Sequence, residues 1–136
     1  MKEHRRHLLF SLLPERFAIV RLAANAAIPA WATQGGFFSV TRTGDELSIV
    51  TIVSNVPEGV SQQKEWQALK VHGPFGLAEV GVLAAIAGPL AEAGISIFVT
   101  STFDTDYLLV KAQQFRAALV ALQKAGHTVE HGGPSV

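Results

Sequence analysis

Trp66-Gln-Ala-Leu-Lys-Val-His72, Gly73-Pro-Phe-Gly76 and Leu77-Ala-Glu-Val-Gly-Val-Leu-Ala-Ala-Ile-Ala-Gly-Pro-Leu-Ala-Glu-Ala-Gly94 follow one another without a gap, and their reading decides the fold. The first piece alternates. Trp66, Ala68 and Lys70 fall on one side, Leu69 and Val71 on the core side, which is the period of a strand. Gly73 to Gly76 reads as a turn. Ala78 to Ala93 then reads as a helix, with Leu83, Ile86 and Leu90 on one face and Gly94 as its stop. Pro89 inside it removes one backbone hydrogen bond and is expected to bend it. Downstream, Ile95–Ser101 is rich in β-formers, Asp104-Thr105 is a turn and Tyr107–Lys111 a second strand. Gln113–Ala125 is amphipathic through Phe115, Leu119 and Leu122, Gly126 ends it, and Thr128–Glu130 supplies a last strand. The order β-α-β-β-α-β is the split βαβ arrangement of ferredoxin-like folds.

Upstream the signals are shorter. His7–Leu13 and Arg16–Leu22 read as two strands with Pro14-Glu15 as a tight connection. Asn25–Ala32 contains Pro29 and has room for a single helical turn. Phe37–Thr43 and Leu47–Val53 flank Gly44-Asp45, a two-residue hairpin signal, and Val56–Gln63 reads as a loop or short helix. Laid without a gap against Phe98–Val110, the stretch Phe38–Val50 matches at both ends and sets Glu46 on Asp106 and Leu47 on Tyr107. This suggests an internal duplication, with a helix-poor half over 7–64 and a complete half over 65–131.

Composition excludes several classes of function. With 136 residues, 49% hydrophobic and 16% charged, the chain can bury a substantial core. Eleven Lys plus Arg balance eleven Asp plus Glu, so the excess of positive charge that nucleic-acid binding draws on is missing. There is no cysteine, which removes disulfides, thiol nucleophiles and Cys-based metal or cluster sites and fits a reducing cytoplasm. The apolar stretch Leu8–Leu13 is too short to span a membrane and reads as a strand.

Two places carry chemistry. The first is Gly73-Pro-Phe-Gly-Leu-Ala-Glu-Val-Gly81, at a strand-to-helix junction. Glycines there open the backbone N–H groups, and the helix N-terminus adds partial positive charge suited to a carboxylate or phosphate. Its spacing is that of neither a dinucleotide fingerprint nor a P-loop, and a tight turn that merely packs closely would use the same glycines. The second is the hairpin Ser101-Thr-Phe-Asp-Thr-Asp-Tyr107, where Asp104 or Asp106 could receive an ammonium or guanidinium. An Asp in a turn also commonly caps its own backbone, and the apolar Phe103 is costly in a turn unless covered. The histidines form no ligand pair, so no metal site is expected. Ser101, His72 and Asp106 can be imagined as a triad, but no local motif supports it, and no catalytic residue is assigned.

These residues resemble the ACT domain family, and within it the CASTOR-like amino-acid sensors with their small bacterial relatives. The likeness rests on Phe75-Gly-Leu-Ala-Glu-Val-Gly-Val-Leu-Ala84, Pro89-Leu-Ala-Glu-Ala-Gly-Ile-Ser96 and Ser101-Thr-Phe-Asp-Thr-Asp-Tyr-Leu-Leu-Val110. In the first half it rests on Leu12-Leu-Pro-Glu-Arg-Phe17, Ile28-Pro-Ala-Trp31 and Phe37-Phe-Ser-Val-Thr41. The resemblance implies an α+β, ferredoxin-like fold of two ACT-like halves side by side, with antiparallel sheets and helices on one face. It implies a ligand site lined by Gly76, Leu77, Val82, Phe103, Asp104 and Asp106 at an ACT–ACT interface. It further implies a non-enzymatic, cytoplasmic regulator that binds a small amino acid, uses no cofactor and pairs as a homodimer. The alternative is a protein–protein interaction module, or a regulatory subunit acting in trans on an amino-acid biosynthetic enzyme such as aspartokinase.

Overall fold

The computed structural model describes residues 7–72 and 81–130. Its strands are β1 (Leu9–Leu22), β2 (Ser39–Arg42), β3 (Leu47–Ile52), β4 (Gln63–Val71), β5 (Ile97–Ser101), β6 (Asp106–Lys111) and β7 (Thr128–Glu130). The helices are α1 (Val82–Glu92) and α2 (Phe115–Lys124). The chain forms two compact units, one from residues up to Pro14 together with those from Gln67 onward, the other from Glu15–Trp66.

In the first of these units the strands run in the order β7-β1-β4-β6-β5. This is the βαββαβ path read from the sequence, with the start of β1 inserted between the first and last strands of the motif. β5 and β6 are antiparallel, whereas β1 and β7 pair in parallel through Leu9↔Thr128, Phe10↔Val129 and Ser11↔Glu130. Both helices cover one face of the sheet. Leu8 and Phe10 of the first segment, Leu69 and Val71, Leu108 and Val110, and Val129 meet Val82, Ile86, Leu90, Ala118 and Leu122 in one core. Each large side chain so buried stabilises the fold by about 1.5–3 kcal/mol.

The buried row of α1 is Val82, Ile86 and Leu90, and Leu83 is 49% exposed, which corrects the face expected from Leu83, Ile86 and Leu90. The helix begins after Gly81, its N-cap at φ 92°; Val82, Ile86 and Leu90 form the i, i+4 row that meets the sheet, and Leu83 lies about 100° round the axis from Val82. Residues 78–80 of the expected helix lie outside the described residues. Both helices stop on a left-handed glycine with the paired bonds of a Schellman end. Gly94 N–H donates to Ala91 O and Ile95 N–H to Leu90 O; Gly126 N–H donates to Gln123 O and His127 N–H to Leu122 O.

The other unit runs β2-β3-β1-β4. It repeats the β-x-β-β-x-β path with 3-10 turns, Ala30–Thr33 and Val53–Asn55, in place of helices. Pro29 and Gly35 before and after the first turn, and Pro57 and Gly59 after the second, leave no room for longer ones. Ala18, Val20, Leu47 and Ile49 pack with Ala32 and Val56 from the turn segments. The fully buried Thr51 donates to Trp31 O and accepts from Asn55 Nδ2, each at 3.4 Å, pinning the turns to β3.

Pro14-Glu15 is not a connection: β1 passes straight through it. β7 pairs with Leu9–Ser11 of β1 and β3 with Phe17–Leu22. Pro14, which has no N–H to give, sits between the two partners, where a ladder bond is not required of it.

Candidate functional site

The β5–β6 hairpin closes through Thr100↔Tyr107 and Ser101↔Asp106. Its tip is locked by one threonine. Thr102 N–H donates to Thr105 O at 2.7 Å, and Thr102 Oγ1 donates to the same oxygen at 2.9 Å and accepts Thr105 N–H at 3.2 Å. Thr105, itself buried, donates its hydroxyl to Val71 O. That bond holds the hairpin tip at the end of β4, where the chain departs for the N-terminus of α1.

Asp106 is half-buried and accepts the Ser101 hydroxyl at 2.5 Å. In strand alternation it shares the side of Leu108 and Val110, which lie in the helix-covered core. Asp106 therefore stands on the helix side of the sheet, at its α1 end. The first turn of α1 carries no acidic residue, and its N-cap, Gly81, offers no side chain to the open N–H groups. An acid oriented by a serine thus shares one end of the fold with a helix N-terminus to which its own N-cap and first turn give no capping or acidic side chain. That pair suits the two charges of a zwitterion, ammonium at the carboxylate and carboxylate at the helix.

Of the other expected site residues, Val82 is packed into the core with 6% exposure, and Asp104 is exposed. Phe103 projects from the tip at 76% exposure. Gly76 and Leu77 lie outside the described residues. The ungapped match of the two hairpins is one residue out of step. The ladders align Arg42↔Leu47 with Ser101↔Asp106, so the first-half counterpart of Asp106 is the buried Leu47, not Glu46. A slip of one residue turns every side chain to the opposite face. Glu46 instead approaches Arg21 at 3.7 Å. Thr43 plays the part of Thr102, its N–H donating to Glu46 O at 2.9 Å.

A second polar group was not expected. Ser11 Oγ meets His72 Nε2 at 2.5 Å and donates to Glu130 Oε1 at 3.4 Å. The carboxylate contacts the serine, not the imidazole, so it does not orient the histidine as a catalytic triad requires. The imagined Ser101–His72–Asp106 triad is not assembled either, because Ser101 is bonded to Asp106 and His72 to Ser11. Among the described residues no group of three or more His, Asp or Glu is arranged to hold a metal, and no helix is long and apolar enough to cross a membrane.

His127 has a different task. Its Nδ1 accepts Leu8 N–H at 3.1 Å and its Nε2 donates to Ala85 O at 3.0 Å. Ala85 O is the acceptor that the i→i−4 bond from Pro89 would have used, and Pro89 has no N–H. The histidine supplies the missing donor, ties α1 to the chain after α2 and to Leu8 just before β1, and is fixed as the neutral Nε2–H tautomer. Burial pushes its pKa below the ordinary value of 6.5, against the raising effect of the Ala85 bond, and His7 lowers it further.

The ACT domain model matches residues 61–124, and a second model, described as an N-terminal domain, matches 15–59. Atu0741 from Agobacterium tumefaciens, a solved structure, is 41% identical over 94% of this chain and 96% of its own, with a TM-score of 0.89. The chain carries an ACT domain over residues 61–124. The regulatory subunit of aspartate kinase from Thermus thermophilus has the same fold, with 14% identity, 85% and 95% coverage and a TM-score of 0.60. The cytosolic arginine sensor for mTORC1 subunit 1 of Mus musculus is 31% identical over an alignment 113 residues long that covers 72% of this chain and 34% of the sensor. The chain thus spans about a third, or less, of the curated relatives it matches.

Proposed function

We propose that this ACT protein is a non-enzymatic, cytoplasmic regulator that binds a small amino acid at the α1 end of its helix-covered unit. The observation that carries the reading is the placement of the Ser101-oriented carboxylate of Asp106 and the N-terminus of α1, with glycine as its N-cap, at the same end of that sheet. In this reading Asp106 takes the cationic group of the ligand and the helix N-terminus its carboxylate. Gly76 and Leu77 line the approach, Phe103 folds over the bound molecule, and Asp104 and Val82 bound it at the tip and the helix start. Likeness to a sensor named for arginine supports an amino acid as the ligand class.

The test begins with a thermal-shift screen against the twenty amino acids, since a ligand at a hundredfold over its Kd adds about 2.7 kcal/mol of stability. The amino acid that registers is then titrated calorimetrically into the parent and Asp106→Asn. A hydrogen bond to a charged group contributes about 1.5–3 kcal/mol, so affinity is expected to fall roughly ten- to a hundredfold while the melting temperature without ligand holds. Equal affinities would remove Asp106 from the site. No shift with any amino acid at millimolar concentration would favour the interaction-module reading.

A further inference from the structure

The outer face of α1 lacks what a solvated helix carries. From Val82 to Ala91 it has no charged or polar side chain, and Glu92 is its first. A helix apolar all round belongs where both faces are covered, yet the core takes the Val82–Ile86–Leu90 row and Ala85, while Leu83, Ala84, Gly88 and Ala91 are exposed. Beside it α2 presents Val120, 51% exposed. Between the helices runs a groove of about 570 Å³ floored by Gly88, Pro89 and Ala121. A Cβ built on Gly88 would meet nothing within 4 Å, so this floor is open to an incoming side chain.

The groove carries one charge of each sign, Glu92 and Lys124, and they stand at opposite ends. The bond from His127 to Ala85 sets the end of α2 beside the first half of α1. From Ala85 to Glu92 is nearly two turns, about 10 Å along the axis. A surface that is negative at one end and positive at the other is complementary to itself once reversed end for end. The chain's net charge of zero adds no long-range repulsion between copies.

We propose that the α1–α2 face is the surface on which a second copy of this chain docks, about a two-fold axis lying across the helices. Val120 of each copy enters the other's groove over Gly88, and Lys124 of each faces Glu92 of the other. The proposal goes beyond the amino-acid reading and does not depend on it.

The test uses the full chain in light scattering and sedimentation. The parent is expected at twice its 14.5 kDa mass. Val120→Glu, at an exposed position, is expected to be monomeric with unchanged helical circular dichroism. Glu92→Lys is expected to weaken the dimer about tenfold or more, because symmetry makes the substitution act twice, and Glu92→Lys combined with Lys124→Glu is expected to restore it. A parent that stays at 14.5 kDa up to millimolar concentration overturns the proposal. So does a dimer indifferent to Val120→Glu and Glu92→Lys, and failure of the double reversal to restore pairing overturns the reversed arrangement.

Discussion

A proline in mid-helix and a histidine beyond the next helix answer each other here. Pro89 leaves Ala85 O without its helical donor, and His127 Nε2 supplies one at 3.0 Å. His127→Phe is expected to destabilise the protein by about 1–3 kcal/mol, since it leaves Ala85 O and Leu8 N–H buried and unpaired. In a Pro89→Ala background, where the helix can make its own bond, that cost should shrink by about 1 kcal/mol, and denaturant melts of the four proteins measure the coupling as a double-mutant cycle. The same imidazole sets a pH dependence. Its folded pKa is depressed by burial, so the unfolded chain binds the proton first. Its contribution is complete above the unfolded value near 6.5 and is lost as pH falls below it towards the folded value. Thermal melts between pH 8 and pH 5 should show the parent losing stability more steeply than His127→Gln, and parallel curves would assign the acid sensitivity elsewhere. None of this could be read from spacing, because His127 and Ala85 meet only after α2 has doubled back.

Within α1 the exposed and buried rows make opposite demands. Ile86→Ala is expected to cost about 2–5 kcal/mol and Leu83→Ala less than about 0.5 kcal/mol, measured by urea denaturation; equal losses would restore the face first read from the sequence. The sequence located α1, α2 and the four strands around them because the period changes from two to helical and back, with glycines as stops. It placed Leu83 wrongly because Val82 and Leu83 are both apolar and both lie about one turn before Ile86, so the pattern alone does not choose which of them meets the sheet. The two hairpins are alike in their threonine-locked tips, but the ungapped match that paired them from end residues of the same type was one residue out of step. Phe38 and Val50 matched their partners by type, while the true register, which sets Leu47 on Asp106 and Ile49 on Leu108, shows only in the ladders. At the candidate site Asp106 was legible as a residue; its serine partner and its side of the sheet were not.

Across the whole molecule, β1 and β4 thread both units, so neither unit owns a complete set of strands. Both tryptophans, Trp31 and Trp66, lie in the 15–66 unit, and both α-helices in the other. Tryptophan fluorescence and ellipticity at 222 nm therefore report on different units. Their urea transitions are expected to coincide, and midpoints separated by more than the error of the fit would mean that the units unfold apart. Pro14 hid this arrangement from the sequence, since a proline between two β-rich runs usually marks a turn. The pairing of β7 with β1 also sets a schedule for synthesis. Leu9–Ser11 leaves the ribosome long before Thr128–Glu130, the segment that completes its edge. At about 5–20 residues per second the nascent strand waits several seconds with that edge bare, in a crowded cell where any other extended chain could take the place.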